Sequence, residues 1–315
     1  MLARAAESMF WLARYMERMD ALSRLMEAAQ LMAGLSDQSV EWRSALIAAG
    51  CESGFLSKYD SVTPERAARY LGADPDNPSS ILNCLEHARV NARAMRTALT
   101  RDMWDAVNGA WLEGRRMGPQ DFKLEVLPDT LDWVRTISTR FAGAYQSTML
   151  RNEIYAFVKL GASIERADNT ARILDVKYHV LLPSYSGVGG MLDYYQWTSI
   201  LRAVSAVRAY QWVYRDEVKP WNVAELLILK PELPRSLRAC YDDIVGCLDA
   251  VAADHGGAKG ECHRLAGTIA ARLRFGRIED IFQSGLHEHL TEMIERTADL
   301  GEAVYKFYMN GVDRE

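Results

Sequence analysis

Long hydrophobic runs and alternating strand patterns are missing from this sequence. The 315-residue chain has no stretch of 18 consecutive apolar residues, so we expect no membrane-spanning helix and no membrane association. Segments that alternate apolar and polar side chains, as half-buried strands do, are almost absent. The amino terminus has no apolar segment typical of a signal peptide. These absences predict an all-α protein of the cytoplasm.

The chain also has few cysteines and no excess of positive charge. The chain has five cysteines, an odd number, and no Cys-x-x-Cys pair. We therefore expect reduced and mostly buried thiols. The formal net charge is −5, and no basic run is longer than Arg115-Arg116. A nucleic-acid partner is therefore not expected.

The usual signatures of catalytic and cofactor sites are not found. No Gly-x-Ser-x-Gly motif or catalytic Cys/His pattern occurs. The glycine-rich segment Gly187–Gly190 follows no strand and precedes no Gly-Lys-Ser/Thr, which favours a helix–helix connector over a phosphate loop. His289 and Glu292 have His-x-x-Glu spacing, but a single pair of this kind is more typical of a surface than of a metal site. We expect neither a metal nor a cofactor.

Helical periodicity covers nearly the whole chain. The first helix is predicted from about Leu2 to Gly34 and a second long helix from about Asn152 to Val180. The stretch Gln120–Asp129 is the least helical part of the first half, with helix resuming at Leu131. A last helix is predicted over Leu286–Met309.

One motif, Glu-Arg-x-Asp-x-x-x-Arg, occurs on both long predicted helices, 148 positions apart. The first copy consists of Glu17, Arg18, Asp20 and Arg24; the second consists of Glu165, Arg166, Asp168 and Arg172. These eight residues form the candidate polar cluster. The second copy has Ala162 where the first has Arg14, a secondary candidate.

Further matches continue the repeat at slightly larger offsets. Trp42 matches Trp197 at offset 155, and Pro64 and Cys84 match residues 156 positions later. Offsets that only increase are expected when loops gain a few residues. We therefore predict one helical-bundle globule over residues 1–315, built from two pseudo-symmetric duplicated halves, approximately 1–150 and 151–315.

The motif has a simple interpretation on the first helix, where Glu17, Asp20 and Arg24 share a face and could form an exposed charged stripe. The second copy favours burial, because Glu165 and Asp168 lie on a helix that is apolar nearly all round. Buried charges must be paired, since uncompensated burial is strongly unfavourable. We expect both copies to be buried and paired, with pairing between the copies as one arrangement.

Three uses of the cluster remain open at this point. It could be a structural ion network, a polar pocket for a peptide or partner side chain, or a general acid–base site. A second group, Asn91, Arg93 and Trp104, could be part of ordinary amphipathic helices or a pocket wall facing the motif helices.

The chain resembles the bacterial alpha-E family, a helical domain named for a Glu-Arg motif. The similarity extends over essentially the whole chain, in the segments Ala13–Arg18, Asn91–Arg93, Glu165–Asp168, Arg172–Asp175, Trp197 with Leu201, Pro234–Leu237 and Gly285–Glu288. The resemblance implies an all-helical fold and assigns no catalytic role to any residue.

The resemblance also implies a genomic context. Alpha-E proteins typically accompany a circularly permuted ATP-grasp protein and a transglutaminase-like protein, in systems thought to make or modify peptides. The expected function is a non-catalytic accessory or binding partner of such an amide ligase or transglutaminase-like protein, with a peptide as a possible ligand. Two alternatives are an enzyme that acts on a peptide or amino-acid derivative through the polar cluster, and a purely structural scaffold.

Overall fold

Two long helices, α1 (Ala3–Met32) and α8 (Glu153–Leu181), form the centre of the fold. The computed structural model describes residues 3–34, 37–181 and 191–310, without the side chains of 177–181 and 191–193. The most extensive helix–helix contact in the described chain is between α1 and α8. The predicted connector Gly187–Gly190 lies outside the described residues.

The remaining helices surround this central pair. After α1 come α2 (Gln38–Ala48), α3 (Glu52–Leu56), α4 (Pro64–Ala73), α5 (Ile81–Ala94), α6 (Arg101–Gly114) and α7 (Leu127–Thr148). After α8 come α9 (Met191–Ala203), α10 (Val207–Tyr214), α11 (Pro220–Leu229), α12 (Leu237–Asp254), α13 (Glu261–Phe275), α14 (Ile278–Ser284) and α15 (Leu286–Val304). The described residues contain no strand, and none of their helices is long and apolar enough to cross a membrane. The predicted all-α class is confirmed.

Apolar residues on nearly every side explain why α1 and α8 are central. Buried residues of α1 point in all directions around its axis, and such a helix is stable only when neighbours cover it fully. Helices α5, α7, α8 and α9 pack against α1, while α12 and α15 pack against α8. One continuous apolar core extends through both parts of the chain.

Helix starts and ends recur at the spacing of the sequence repeat. Ser80 caps α5, and Ser236, 156 positions later, caps α12; each hydroxyl accepts a backbone N–H of the first turn. The chain leaves α2 through Gly50 at φ +68° and leaves α9 through Ser205 at φ +57°. These features agree with the proposed repeat, and the duplication itself stays a prediction.

The predicted start of α7 differs from the structure, whereas the predicted bounds of the last helix agree with it. Helix α7 begins at Leu127, not Leu131, because Pro128 fits the first helical turn, where its missing N–H is harmless. A short 3₁₀ helix, Pro119–Phe122, precedes it in the stretch predicted to be least helical. The last helix ends at Val304 and continues to Met309 as one π-helical turn.

The crossing of α1 and α8 depends on Gly161. A Cβ atom at this position would overlap the Phe10 carbonyl oxygen, which is backbone and cannot rotate away. Gly161→Ala is therefore expected to lower the free energy of unfolding by about 1–3 kcal/mol through overpacking, measured by urea denaturation. Gly143→Ala is the matched control, because nothing lies within 4 Å of its would-be Cβ. That substitution should stabilise α7 by roughly 0.5–1 kcal/mol, and equal destabilisation of both variants would contradict the close crossing.

Candidate functional site

The two Glu-Arg motifs bind each other reciprocally. Arg18 on α1 donates through Nε to Oε1 of Glu165 at 2.6 Å and through Nη2 to Oε2 at 3.1 Å. Arg166 on α8 donates through Nε and Nη2 to the two carboxylate oxygens of Glu17, at 2.9 and 2.8 Å. Both contacts are bidentate, the strongest geometry for a guanidinium–carboxylate pair.

Each motif glutamate also accepts a second guanidinium group. Arg14 donates through Nε to Oε2 of Glu165 at 2.7 Å. Arg235, which precedes the cap of α12, donates through Nη1 to Oε1 of Glu17 at 2.9 Å and through Nη2 to Asp20 at 2.7 Å. The second arginine thus has a different origin for each glutamate. For Glu165 it is Arg14 of α1, and for Glu17 it is Arg235 of the α11–α12 turn.

The last two motif positions pair within their own helices. Arg24 donates through Nε to Asp20, and Arg172 donates through Nε to Asp168, both at 2.7 Å. These are i,i+4 pairs on one helix face. Arg24 also donates through Nη1 to Oγ of Ser205 at 2.7 Å, so this pair holds the turn that follows α9.

Burial makes this network different from an ordinary surface stripe. Glu165 is 2% exposed and Asp20 3% exposed, so the interpretation of the first motif as an exposed stripe is wrong. The expected burial and mutual pairing are confirmed. Six guanidinium groups and four carboxylates form the network, which therefore carries a net positive charge.

The pKa values of the carboxyls follow from these contacts. Burial alone would raise the pKa of Glu165, but Arg18 and Arg14 outweigh it and hold the pKa at about 2. Burial acts in the same way on Glu17, and Arg166 with Arg235 holds its pKa at about 2. For Asp168 the burial effect prevails over the single partner Arg172, and the pKa is raised.

Aromatic rings and buried thiols surround the network. The guanidinium carbon of Arg14 lies 4.8 Å from the Trp11 ring centroid, and that of Arg18 lies 5.9 Å from Tyr15. All five cysteines are free. Burial raises the pKa of Cys84 and of Cys240 to about 12, so these two thiols, each within the field of a motif arginine, are protonated and unreactive at neutral pH.

The secondary candidates divide into two groups. Arg14 belongs to the polar cluster. Asn91 donates to the carbonyl oxygen of His87, Arg93 is exposed on α5, and Trp104 lies beside Arg89 of α5 and Arg96 of the following turn. Of these three residues only Arg93 is exposed, Asn91 is partly buried, and Trp104 packs against the apolar core. A pocket wall facing the motif helices stays a prediction.

Arg235 is the cluster member that the sequence analysis did not select. It lies directly before Ser236, the cap of α12, and its counterpart 156 positions earlier is Ser79. Because a motif search looks for matching residues, an arginine opposite a serine gives no signal. The segment Pro234–Leu237 did appear among the family-like segments, which was the available hint.

Metal-binding side chains are not grouped in the part of the chain that the structure describes. Residues 3–34, 37–181 and 191–310 contain no group of three or more metal-binding side chains in suitable positions. Glu292 of the His-x-x-Glu pair accepts hydrogen bonds from Arg272 and forms an ion pair with Arg296. A cleft of about 350 Å³ between α8 and α12 is lined by residues outside the motif.

Removing the carboxylate of Glu165 should leave two partly buried guanidinium groups without a counter-charge. We expect Glu165→Ala to lower the free energy of unfolding by about 3–5 kcal/mol, measured by urea denaturation. Glu302→Ala is the control, because Glu302 pairs with Lys306 on the exposed side of α15, and its loss should change stability by less than about 0.5 kcal/mol. A small effect at Glu165 would show that the network contributes little to folding.

The depressed pKa of Glu165 predicts how stability depends on pH. The carboxyl has an ordinary pKa of roughly 4.3 when unfolded and about 2 when folded, so its contribution is present above the unfolded value and disappears as the pH falls towards 2. Urea midpoints of the wild type and Glu165→Gln should therefore differ most at pH 7 and converge between pH 5 and about 2. A difference that is independent of pH would contradict this ion pairing.

One protein-family model matches the chain, and its description names the same Glu-Arg motif. Residues 1–309 match the model of the Alpha-E family, described as a predicted alpha-helical domain with a conserved ER motif. No curated protein and no solved structure matches the chain. In this chain the two Glu-Arg pairs are those that bind each other between α1 and α8. Because the match covers nearly the whole sequence, the chain belongs to the Alpha-E family.

Proposed function

We propose that the protein is a non-catalytic helical binding partner in an ATP-grasp and transglutaminase-type system that makes or modifies peptides. In this proposal the Glu-Arg motifs are the internal clamp that fixes the outer binding surfaces. The observation that carries it is the double pairing of Glu17 and Glu165, each of which accepts two guanidinium groups.

This pairing makes the motif glutamates poor acid–base catalysts. A general base works best when its pKa lies near the working pH. Carboxyls with a pKa of about 2 are fully ionised at neutral pH, cannot donate a proton, and accept one only weakly. Their lone pairs are also directed at arginines rather than at an open space for a substrate.

The clamp does have a clear mechanical effect. Two bidentate ion pairs join α1 to α8, and Arg235 of the α11–α12 turn donates one hydrogen bond to Glu17 and one to Asp20 on α1. Each of these contacts requires a defined distance and orientation. A buried ion network specifies one arrangement more than it adds stability. Helices α5, α6, α12 and α13, which lie outside the central pair, are thereby held in fixed positions for contact with a partner.

The partner is inferred from the family. Alpha-E proteins are expected to function together with an ATP-grasp amide ligase and a transglutaminase-like protein, and a helical protein of this size has ample surface for either. A typical specific interface buries roughly 800 Å² on each side. The cytoplasm, where ATP is available to the ligase, is the proposed location.

The test is co-expression with an ATP-grasp amide ligase from the same genome. We expect the two proteins to co-elute in size-exclusion chromatography, and the turnover of the ligase to fall when this chain is omitted. Gly143→Ala serves as a folded control that should bind as the wild type does. Full affinity for substrate and full turnover without this chain would overturn the proposal.

A second candidate function has one observation in its favour. Burial raises the pKa of Asp168, and a carboxyl shifted in this direction could take part in acid–base chemistry on a peptide or amino-acid derivative. Asp168→Asn would then abolish product formation while circular dichroism and the melting temperature stay near the wild type. Unchanged product formation by this variant would exclude the enzymatic alternative at this site.

A further inference from the structure

Arginine and tryptophan side chains alternate along α5, α6 and the residues just after each of these helices. The guanidinium carbon of Arg96 lies 4.9 Å from the ring centroid of Trp104, and that of Arg89 lies 5.9 Å from Trp104 and 4.3 Å from Trp111. Arg115 follows, at 5.1 Å from Trp111. All four distances lie within the range of cation–π interactions, roughly 6 Å. We call these five residues the Arg–Trp ladder.

Neighbouring carboxylates hold the ring of Trp111 in place. Its Nε1 donates a hydrogen bond to Glu86 on α5. One turn beyond, Trp133 on α7 donates through Nε1 to Glu113 at 2.7 Å. The indole of Trp111 is therefore held at its N–H end, while the guanidinium carbons of Arg89 and Arg115 lie 4.3 and 5.1 Å from its ring centroid. The ladder is pre-organised, which reduces the entropy lost when a ligand binds.

The edges of these guanidinium groups have no carboxylate partner. Within the described chain, Arg89, Arg96 and Arg115 form no ion pair, and neither do the neighbouring Arg93 and Arg116. Nε of Arg89 is buried and has no hydrogen-bond partner. The contrast with the clamp is sharp, because every arginine of the clamp contacts a carboxylate.

Charge and geometry together define the chemistry that fits this surface. A guanidinium that stacks on a ring keeps its N–H donors in the plane, where they match the two oxygens of a carboxylate. Exposed Val90 and Leu112 add apolar area on the same two helices. Nucleic acid fits less well, because base stacking needs free ring faces, and arginines already lie over the faces of Trp104 and Trp111.

We propose that the Arg–Trp ladder binds an acidic peptide segment, with glutamate or aspartate side chains on the guanidinium edges of Arg96, Arg89 and Arg115. The net charge of the chain is −5, so this local group of unpaired arginines is a place where an acidic partner can approach a chain that otherwise repels it. The proposal deepens the proposed function and rests on it only for the identity of the partner protein.

The test uses fluorescence anisotropy with the full-length chain and a labelled 12-residue peptide of alternating Glu and Ser. The same peptide with Gln in place of Glu is the charge control. We expect binding of the Glu peptide that weakens with added salt, and no measurable binding of the Gln peptide. Equal affinity for both peptides, or stronger binding of a single-stranded RNA 12-mer, would overturn the proposal.

Variants locate the binding on the molecule. Both Arg96 and Arg115 are exposed, so Arg96→Gln/Arg115→Gln should fold normally and weaken binding of the Glu peptide at least about tenfold. Arg96→Lys/Arg115→Lys keeps the charge but loses the planar fork, and should give an intermediate affinity. Arg208→Gln on α10, equally exposed, should leave the affinity unchanged. Wild-type affinity of the Gln variant would place the peptide elsewhere and disprove the assignment.

These experiments separate the two proposals. The peptide assay contains no ligase, so its failure removes the ladder as an acidic-peptide site and leaves the co-elution result standing. Conversely, a chain that binds the Glu peptide but does not co-elute with the ligase would keep the ladder and overturn the ligase as its partner.

Discussion

Compensation of buried charge is the constraint on which the rest of this structure depends. Removing a carboxylate from water is unfavourable by several kcal/mol, and Glu17 and Glu165 lie on helices whose apolar surfaces require burial. Neither glutamate can be neutralised by an arginine of its own Glu-Arg pair, since neighbouring side chains on a helix point about 100° apart. In the structure each glutamate is paired with the Glu-Arg arginine of the other central helix, and Glu17 is also paired with Arg235 of the α11–α12 turn.

This requirement sets the geometry around it. Bidentate pairing needs α1 and α8 to be close and in one register, and Gly161 permits that approach at the Phe10 backbone. Arg235 then ties the start of α12 to the same site. Outer helices pack on the pair, and the Arg–Trp ladder lies on two of them, α5 and α6, and on the residues just after each. The clamp and the proposed docking surface are thus separate places with different chemistry: arginines fully paired in one and unpaired in the other.

The all-α fold and the burial of the Glu-Arg motif could be predicted from the sequence. Period 3.6 and the lack of alternating segments predicted an all-α chain, and the apolar surroundings of Glu165 predicted burial. The partner of each glutamate could not be derived, because intrahelical and interhelical pairing give the same sequence pattern. Arg235 was missed because it has no equivalent in the first half, and the ladder was missed because its contacts join residues on two different helices.

The two motif glutamates take their arginine partners from opposite halves of the chain. Every guanidinium that neutralises Glu17 belongs to the second half of the chain, and every one that neutralises Glu165 belongs to the first. Each half thus provides the counter-ions of the other. A cut between α7 and α8 that let the two parts separate would therefore leave both motif glutamates without their guanidinium partners.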